Sequence, residues 1–339
     1  MGLLDEIREQ PEVIARTTSV NAGPAERVAG LATGCTHAVI AARGTSDNAG
    51  RYAQYVWGTR NGLSVGLTTP SLFSVYDRPP RLDGALVVGI SQSGESPDIV
   101  SVLEEGREQG RPTVAITNEP DSPLADVADV VIDLHAGEER AVAATKTYTA
   151  QLTVVALISE AMAGEAGTLD VLPSLVEHAL AQEVRAAEAA AAHAGIEVCA
   201  VLGRGFNQAT AFEWALKLQE LTQVVAQPFS TADFLHGPIA VLEPGYPVLA
   251  IAARGPAIDD VIDVLGRCRQ AGASLVVIGN DQRLAHMAPG ALELDTGVDE
   301  WLSPIPAVVL GQLFAYHLTV AKGLDPEQPR GLHKVTRTT

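Results

Sequence analysis

The stretch that decides the fold runs from residue 85 to residue 97, A-L-V-V-G-I-S-Q-S-G-E-S-P. Its first six residues are apolar without alternation, the pattern of a strand buried on both faces of a parallel sheet. Ser91, Gln92, Ser93, Gly94 and Ser96 follow at once, and then Pro97. Ser96 is a good helix N-cap and Pro97 suits the first helical position, so the strand is expected to turn through a polar loop into a helix N-terminus. That end carries free backbone N–H groups and the positive pole of the helix dipole, and it favours an anion. Gly94 lets the backbone approach closely. The hydroxyls and the amide add neutral donors, which suits a phosphomonoester held without a metal. Thr45 and Ser46, in R-G-T-S-D-N (43–48), close another apolar run and strengthen this reading over that of a simple capped turn.

Other apolar runs with strand character lie at 38–42, 113–117 and 130–134. A second series lies at 198–202, 247–252, 274–278 and 291–295. The two series repeat. Arg43-Gly44 matches Arg204-Gly205, Ile90 matches Ile251, Asn118 matches Asn280 and Gln151-Leu152 matches Gln312-Leu313, each 161 or 162 residues apart. The predicted fold is therefore α/β, with two tandem doubly wound parallel-sheet units of flavodoxin-like, three-layer α/β/α form. The expected division is an N-terminal helical segment at 1–30, a first unit at 31–165 with the phosphate site, a helical linker at 166–196, a second unit at 197–325 and a C-terminal tail at 326–339. Residues 3–17 read as an amphipathic helix interrupted at Pro11, and the Ala-rich run 178–194 as a helix bridging or crossing the units. Ligands of such sheets bind beyond the carboxyl ends of the strands, near a topological switch point. The second copy has R-G-F-N-Q (204–208) and A-A-R-G-P (252–256) there, without the hydroxyls.

Composition narrows the partners. The 339 residues carry a formal net charge of −18, which argues against a nucleic acid or an anionic membrane. Apolar residues make up 47% and aromatics only 4%, so the core is built from Ala, Val, Leu and Ile. Cys35, Cys199 and Cys268 are far apart and odd in number, which fits a reducing compartment and no disulfide framework. The N-terminus lacks a signal-peptide core, and no apolar run is expected to reach the ~18 residues of a membrane span. The reading is a cytoplasmic protein. No metal pattern is visible among the eight histidines. The run G-R-G-F-N-Q-A (203–209) departs from a dinucleotide fingerprint in its third glycine, and no acidic residue ends the next strand, so no cofactor is expected.

Several segments together resemble the sugar isomerase (SIS) family, above all the isomerase half of the glutamine–fructose-6-phosphate amidotransferases. They are EIREQPEV (6–13), ARGTSDNA (42–49), ISQSGES (90–96), AVAATKTYTAQL (141–152), LGRGFNQATAFEWALKLQELT (202–222), DFLHGPIAVLE (233–243) and PRGLHKVT (329–336). The resemblance implies that Thr45, Ser46, Ser91, Gln92, Ser93 and Ser96 hold a sugar phosphate. It implies that Glu220 shuttles a proton between C1 and C2, that His236 opens the sugar ring from the partner subunit of a homodimer, and that Lys334 meets the ketose carbonyl. Val142 and Ala144 would line the sugar. These residue types suit the chemistry. A desolvated carboxylate is a good proton shuttle, histidine exchanges protons near neutral pH, and an amine forms an imine with an open-chain carbonyl. Taken singly, each has a plainer reading: Glu220 an exposed helix face, His236 the shape of a turn, Lys334 a solvated tail.

Three departures shape the expectation. Ala144 replaces a serine of the synthase family, Asp233 and Leu235 replace its Glu and Lys before His-Gly-Pro, and the sequence enters the sugar domain directly after Met1-Gly2, without the glutaminase half. The resemblance then implies breakdown: deamination of glucosamine 6-phosphate to fructose 6-phosphate and ammonia. One alternative is dehydration of N-acetylglucosamine 6-phosphate by loss of the C3 hydroxyl. Another is a regulator that binds a phosphosugar without turnover. Plain hexose-phosphate isomerisation also stays open.

Overall fold

A computed structural model describes residues 2–334. Residues 335–339, including the end of the predicted tail, lie outside the described residues, as does Met1. The chain opens with α1 (Leu3–Arg8) and α2 (Gln10–Ala32). The break falls at Glu9 and the helix resumes at Gln10, which puts Pro11 in its first turn, where a missing N–H costs nothing.

The chain divides into two compact units. The first comprises Glu12–Glu139, Lys146–Val171 and the chain from His333 onward. It holds β1 (His37–Ala41), α3 (Gly44–Asn61), β2 (Ser64–Leu67), α4 (Ser71–Ser74), β3 (Ala85–Ser91), α5 (Pro97–Glu108), β4 (Thr113–Thr117), α6 (Pro123–Asp126), β5 (Val130–Asp133) and α7 (Lys146–Ala163). All strand pairs are parallel, in the order β2-β1-β3-β4-β5. Val39 faces Val87 and Ile90 faces Ile116 across the central pairs. All seven residues of β3 are buried, as its unbroken apolar run predicts. Trp57 of α3 donates its indole N–H to the Val155 carbonyl of α7 at 3.0 Å, and Thr17 and Asn21 of α2 bond to the Leu134 and Asp133 carbonyls beyond β5.

The second unit comprises the chain up to Pro11, Arg140–Thr145 and Leu172–Leu332. It holds α8 (Leu172–Leu180), α9 (Glu183–Ala192), β6 (Val198–Gly203), a 3-10 turn (Gly205–Asn207), α10 (Gln208–Thr222), β7 (Val225–Ser230), α11 (Thr231–Leu235), a second 3-10 turn (Pro238–Val241), β8 (Pro247–Ala252), α12 (Ile258–Gln270), β9 (Ser274–Gly279), α13 (Leu284–Met287), β10 (Leu292–Glu293) and α14 (Pro304–Ala321). Its sheet order, β10-β9-β8-β6-β7, is the first unit's order read from the other edge. Strands start at 37 and 198, 64 and 225, 85 and 247, 113 and 274, 130 and 292, so each pair keeps the 161- or 162-residue spacing.

Two strands escape the sequence reading, and they are repeat mates: β2 and β7. Both are edge strands. β2 alternates between exposed and half-buried positions and is only four residues long, while β7 contains Pro228, which an edge tolerates. Within the predicted linker, α8 and α9 form part of the second unit. Gln182, between them, donates to the Glu293 carbonyl at 2.5 Å and accepts the Glu293 N–H at 2.7 Å, so a side chain completes the open edge of β10. The expectation about apolar runs needs one correction. α14 is 18 residues long and apolar enough, by length and composition, to cross a membrane. Gln312, Tyr316 and His317 interrupt its run in the sequence, and 78% of it is buried inside the protein as a core helix.

Candidate functional site

In the first unit the switch point lies between β1 and β3, where the strand order reverses. Arg43, in extended conformation, caps α3, and Gly44 takes φ +51° so that the helix starts directly off the strand. Thr45 and Ser46 therefore sit in the first turn. The Ser46 N–H donates to the Arg43 carbonyl at 3.0 Å, and its hydroxyl accepts from Gln151 Nε2 at 2.9 Å, which leaves the hydroxyl proton to donate. At the end of β3, the loop folds on itself. The Gly94 N–H donates to Ser91 Oγ at 3.1 Å and the Glu95 N–H to Ser93 Oγ at 3.3 Å. Asn118 donates its N–H to the Gln92 carbonyl at 3.1 Å. Gly94 has φ +63°, and a Cβ there would stand 2.0 Å from Ser122 Oγ, so the loop requires glycine twice over. Ser96 has N-cap geometry and Pro97 takes the first helical position, as predicted, yet the Ser96 hydroxyl makes no capping bond. That hydroxyl stands at a positive helix end without serving the helix.

A clasp that sequence reasoning missed ties the two loops together. Arg43 donates from Nε and from a terminal nitrogen to Asp98 Oδ2, both at 2.8 Å. The Asp98 side chain is fully buried, while the Arg43 side chain is 49% exposed. The arginine thus neutralises a carboxylate that would repel an anion at the start of α5, and it keeps a solvated face beside the cradle. The same pair recurs in the second unit as Arg204 and Asp260, 3.7 Å apart, 161 and 162 residues further on. The recurrence was the available signal.

Beyond the ends of β3 to β5, a cavity of about 470 Å³ is lined by Gln92, Asn118, His135 and Glu139, among others. The Glu139 carboxylate is buried. It accepts from the Thr147 N–H at 3.1 Å, from Thr147 Oγ1 at 2.8 Å and from Lys334 Nζ at 2.8 Å. The structure therefore pairs Lys334 with a carboxylate that lines this cavity, and leaves only a quarter of its side chain exposed.

The second unit carries the remaining predicted residues. Val142 and Ala144, both half-buried, lie in Arg140–Thr145. The segment hangs on Glu6 of α1, whose buried carboxylate accepts the Arg140 N–H at 2.6 Å and the Ala141 N–H at 3.2 Å. Glu220 stands on α10 above Lys217 and Glu213, one face at i, i+4 and i+7. Lys217 Nζ lies 3.3 Å from Glu213 Oε1 and 2.5 Å from Glu220 Oε2. Glu213 and Lys217 are buried, and the Glu220 side chain is 22% exposed. Burial alone would push the Lys217 ammonium down, but the carboxylates of Glu213 and then Glu220 more than reverse it, so its pKa is raised. Glu220 thus has one carboxyl oxygen fixed against Lys217, with its outer edge open. His236 follows α11, is exposed, and donates its backbone N–H to the Asp233 carbonyl at 3.0 Å. Asp233, one of the departures, is locked to Ser230 by a side-chain bond of 2.7 Å.

The second unit's switch point is not a cradle. Its N-caps are Arg204 with Asn207 and Ala257, without the hydroxyls. A Cβ at Gly255 would lie 2.1 Å from Glu300 Oε2, so the Glu300 side chain crowds the space a ligand would need. Partial burial raises the Glu300 pKa. Among the described residues, no group of three or more His, Cys, Asp or Glu gathers in metal-binding geometry.

Comparison with known proteins agrees with this architecture. The SIS domain matches twice, at residues 33–161 and 199–322. The chain is 33% identical over 339 residues to a glutamine–fructose-6-phosphate aminotransferase (isomerizing) of Methanothermobacter thermautotrophicus and 35% identical over 363 residues to that of Aeropyrum pernix. Each match covers 98% of this chain and 56% of the relative, so the chain spans little more than half of their length. Among solved structures, the C-terminal domain of glucosamine–fructose-6-phosphate aminotransferase from Francisella tularensis superposes with a TM-score of 0.88 at 28% identity, over 96% of this chain and 98% of that one. Two matched repeats, each with the sheet order described above, show that the chain belongs to the SIS domain family.

Proposed function

We propose that the protein acts on glucosamine 6-phosphate, converting it with water to fructose 6-phosphate and ammonia. Thr45, Ser46, Ser91, Gln92, Ser93 and Ser96 hold the phosphate. His236 exchanges the proton that opens the ring. Glu220 takes the proton from C2 and returns it to C1, which turns the C2 amine into an imine. Water adds to that imine carbon and ammonia leaves. Lys334 stands near the reacting carbonyl, and Val142 and Ala144 line the sugar. Proton transfer between neighbouring carbons needs no cofactor.

The observation that carries this reading is the Glu213–Lys217–Glu220 face. A proton shuttle must hold one position while it faces two carbons in turn, and Lys217 fixes one Glu220 oxygen at 2.5 Å while the side chain keeps an exposed edge. Exposed His236, with Leu235 36% and Val241 50% exposed beside it, supports a homodimer in which the imidazole serves a second copy. Three free thiols support a reducing, cytoplasmic setting.

Ala144 favours one second reading, because a methyl where the synthase family has a hydroxyl leaves room for a bulkier nitrogen substituent. With N-acetylglucosamine 6-phosphate, the same C2 proton removal would expel the C3 hydroxyl as water.

The test is incubation with each sugar, using Glu220→Gln as control, followed by ammonia assay and mass spectrometry. Ammonia and fructose 6-phosphate from the free amine, lost in the variant, support the deaminase. Loss of one water from the acetylated sugar without ammonia replaces it with the dehydratase. Binding without change of either sugar, equal in the variant, makes the protein a phosphosugar-binding regulator.

A further inference from the structure

We propose that Glu139 is the positioning residue for Lys334, an internal anchor that fixes the C-terminal segment against the first unit's pocket. The inference rests on the reading of Lys334 as the amine that meets the open-chain carbonyl. A lysine side chain has four rotatable bonds, and ordering it costs entropy. Something must hold it.

The geometry provides the holder. Glu139 has a fully buried side chain, fixed before Lys334 arrives by two donors from one residue, the N–H and hydroxyl of Thr147. Thr147 lies in the first turn of α7, where the helix dipole also favours a carboxylate. Lys334 adds a third, charge-assisted bond of 2.8 Å, with a quarter of its side chain still exposed.

The repeat supplies an internal comparison. Glu300 stands 161 residues after Glu139 in the second unit. Among the described residues, no cation pairs with its carboxylate, and it turns instead against Gly205 and Gly255. The same position thus anchors a lysine in the copy with the hydroxyl cradle and plugs the cleft in the copy without it.

The experiment is Glu139→Gln in the full chain, read by amide hydrogen exchange over residues 329–334 and by steady-state kinetics with glucosamine 6-phosphate. Exchange over that segment should rise about tenfold, the scale of one charge-assisted hydrogen bond. The kcat should fall up to about a hundredfold with KM nearly unchanged, the signature of a misplaced reacting group. Glu139→Gln combined with Lys334→Ala should be no slower than Lys334→Ala alone. Thr147→Val, which removes one donor and keeps the charge, should shift exchange and kcat in the same direction by less. It also carries the test if Glu139→Gln does not fold. Unchanged exchange in both variants overturns the anchor whatever the reaction is. So does a double variant whose losses multiply. Faster exchange with full activity in Lys334→Ala keeps the anchor and removes Lys334 from the reaction.

Discussion

Lys217→Met isolates the buried charge cluster on which the functional reading depends. Wild-type Lys217 is 1% exposed and lies within 3.3 Å of Glu213 and 2.5 Å of Glu220. Methionine keeps most of the volume and removes the cation. Glu213, fully buried, loses the Lys217 cation, and breaking a buried pair in this way costs about 3–5 kcal/mol. With a urea slope of about 2 kcal/mol/M, the unfolding midpoint of the second unit should fall by about 2 M. Tryptophan emission reports it, since buried Trp214 lies on the same helix, edge-on to Phe314 at 5.6 Å. Amide exchange over 208–222 assigns the transition to this unit. Adding Glu213→Gln to the variant should recover part of the loss, because the stranded charge is then gone. The pH dependence has a fixed sign. The Lys217 pKa is raised on folding, so its contribution is full below the ordinary lysine value of about 10.4 and is lost only as pH climbs through the raised one. Stability linked to Lys217 should be flat from about pH 6 to 9. A midpoint shift below about 0.5 M would refute the reasoning, because the cluster would then behave as a solvated surface pair.

Ser96→Ala should change stability by less than about 0.5 kcal/mol, because the hydroxyl makes no capping bond, yet it should weaken phosphate binding measured by calorimetry. Loss of stability without loss of binding would mark Ser96 as a mere cap. Gly94→Ala should cost about 1–3 kcal/mol in a denaturant titration and abolish phosphate binding, since φ is +63° and the new methyl meets Ser122. Glu300→Gln should equal or exceed the wild type in thermal stability near pH 7, with the gap closing on acidification. The wild-type carboxyl has a raised pKa, so its stabilising protonated form is full below about pH 4.3 and lost as pH rises through the folded value. A gap that widens on acidification would reverse the assignment.

What was legible in the sequence follows from what is local. β3 declared itself because a parallel strand covered on both faces must be apolar throughout, and Ser96-Pro97 declared the helix start because capping is decided within a few residues. The 161-residue repeat carried the sheet order of one unit over to the other. β2 and β7 stayed hidden because an edge strand is half-solvated and has no such constraint. The i, i+4, i+7 spacing of Glu213, Lys217 and Glu220 stands in the sequence, but their burial does not, since three charged residues on one helix face ordinarily point to water.

By itself, the sequence determined the two doubly wound units, the placement of hydroxyls at the first switch point and the residue types available for proton transfer. Only the tertiary structure decided which charges meet. Arg43 finds Asp98 across 55 residues, Glu6 holds the Arg140 and Ala141 amides across 134 and 135, and Glu139 holds Lys334 across 195. The physical reason is that hydrophobic periodicity and caps are written into neighbouring residues, whereas an ion pair's partner is chosen by the path of the chain. A charged side chain carries no record in sequence of which carboxylate the fold will bring to it.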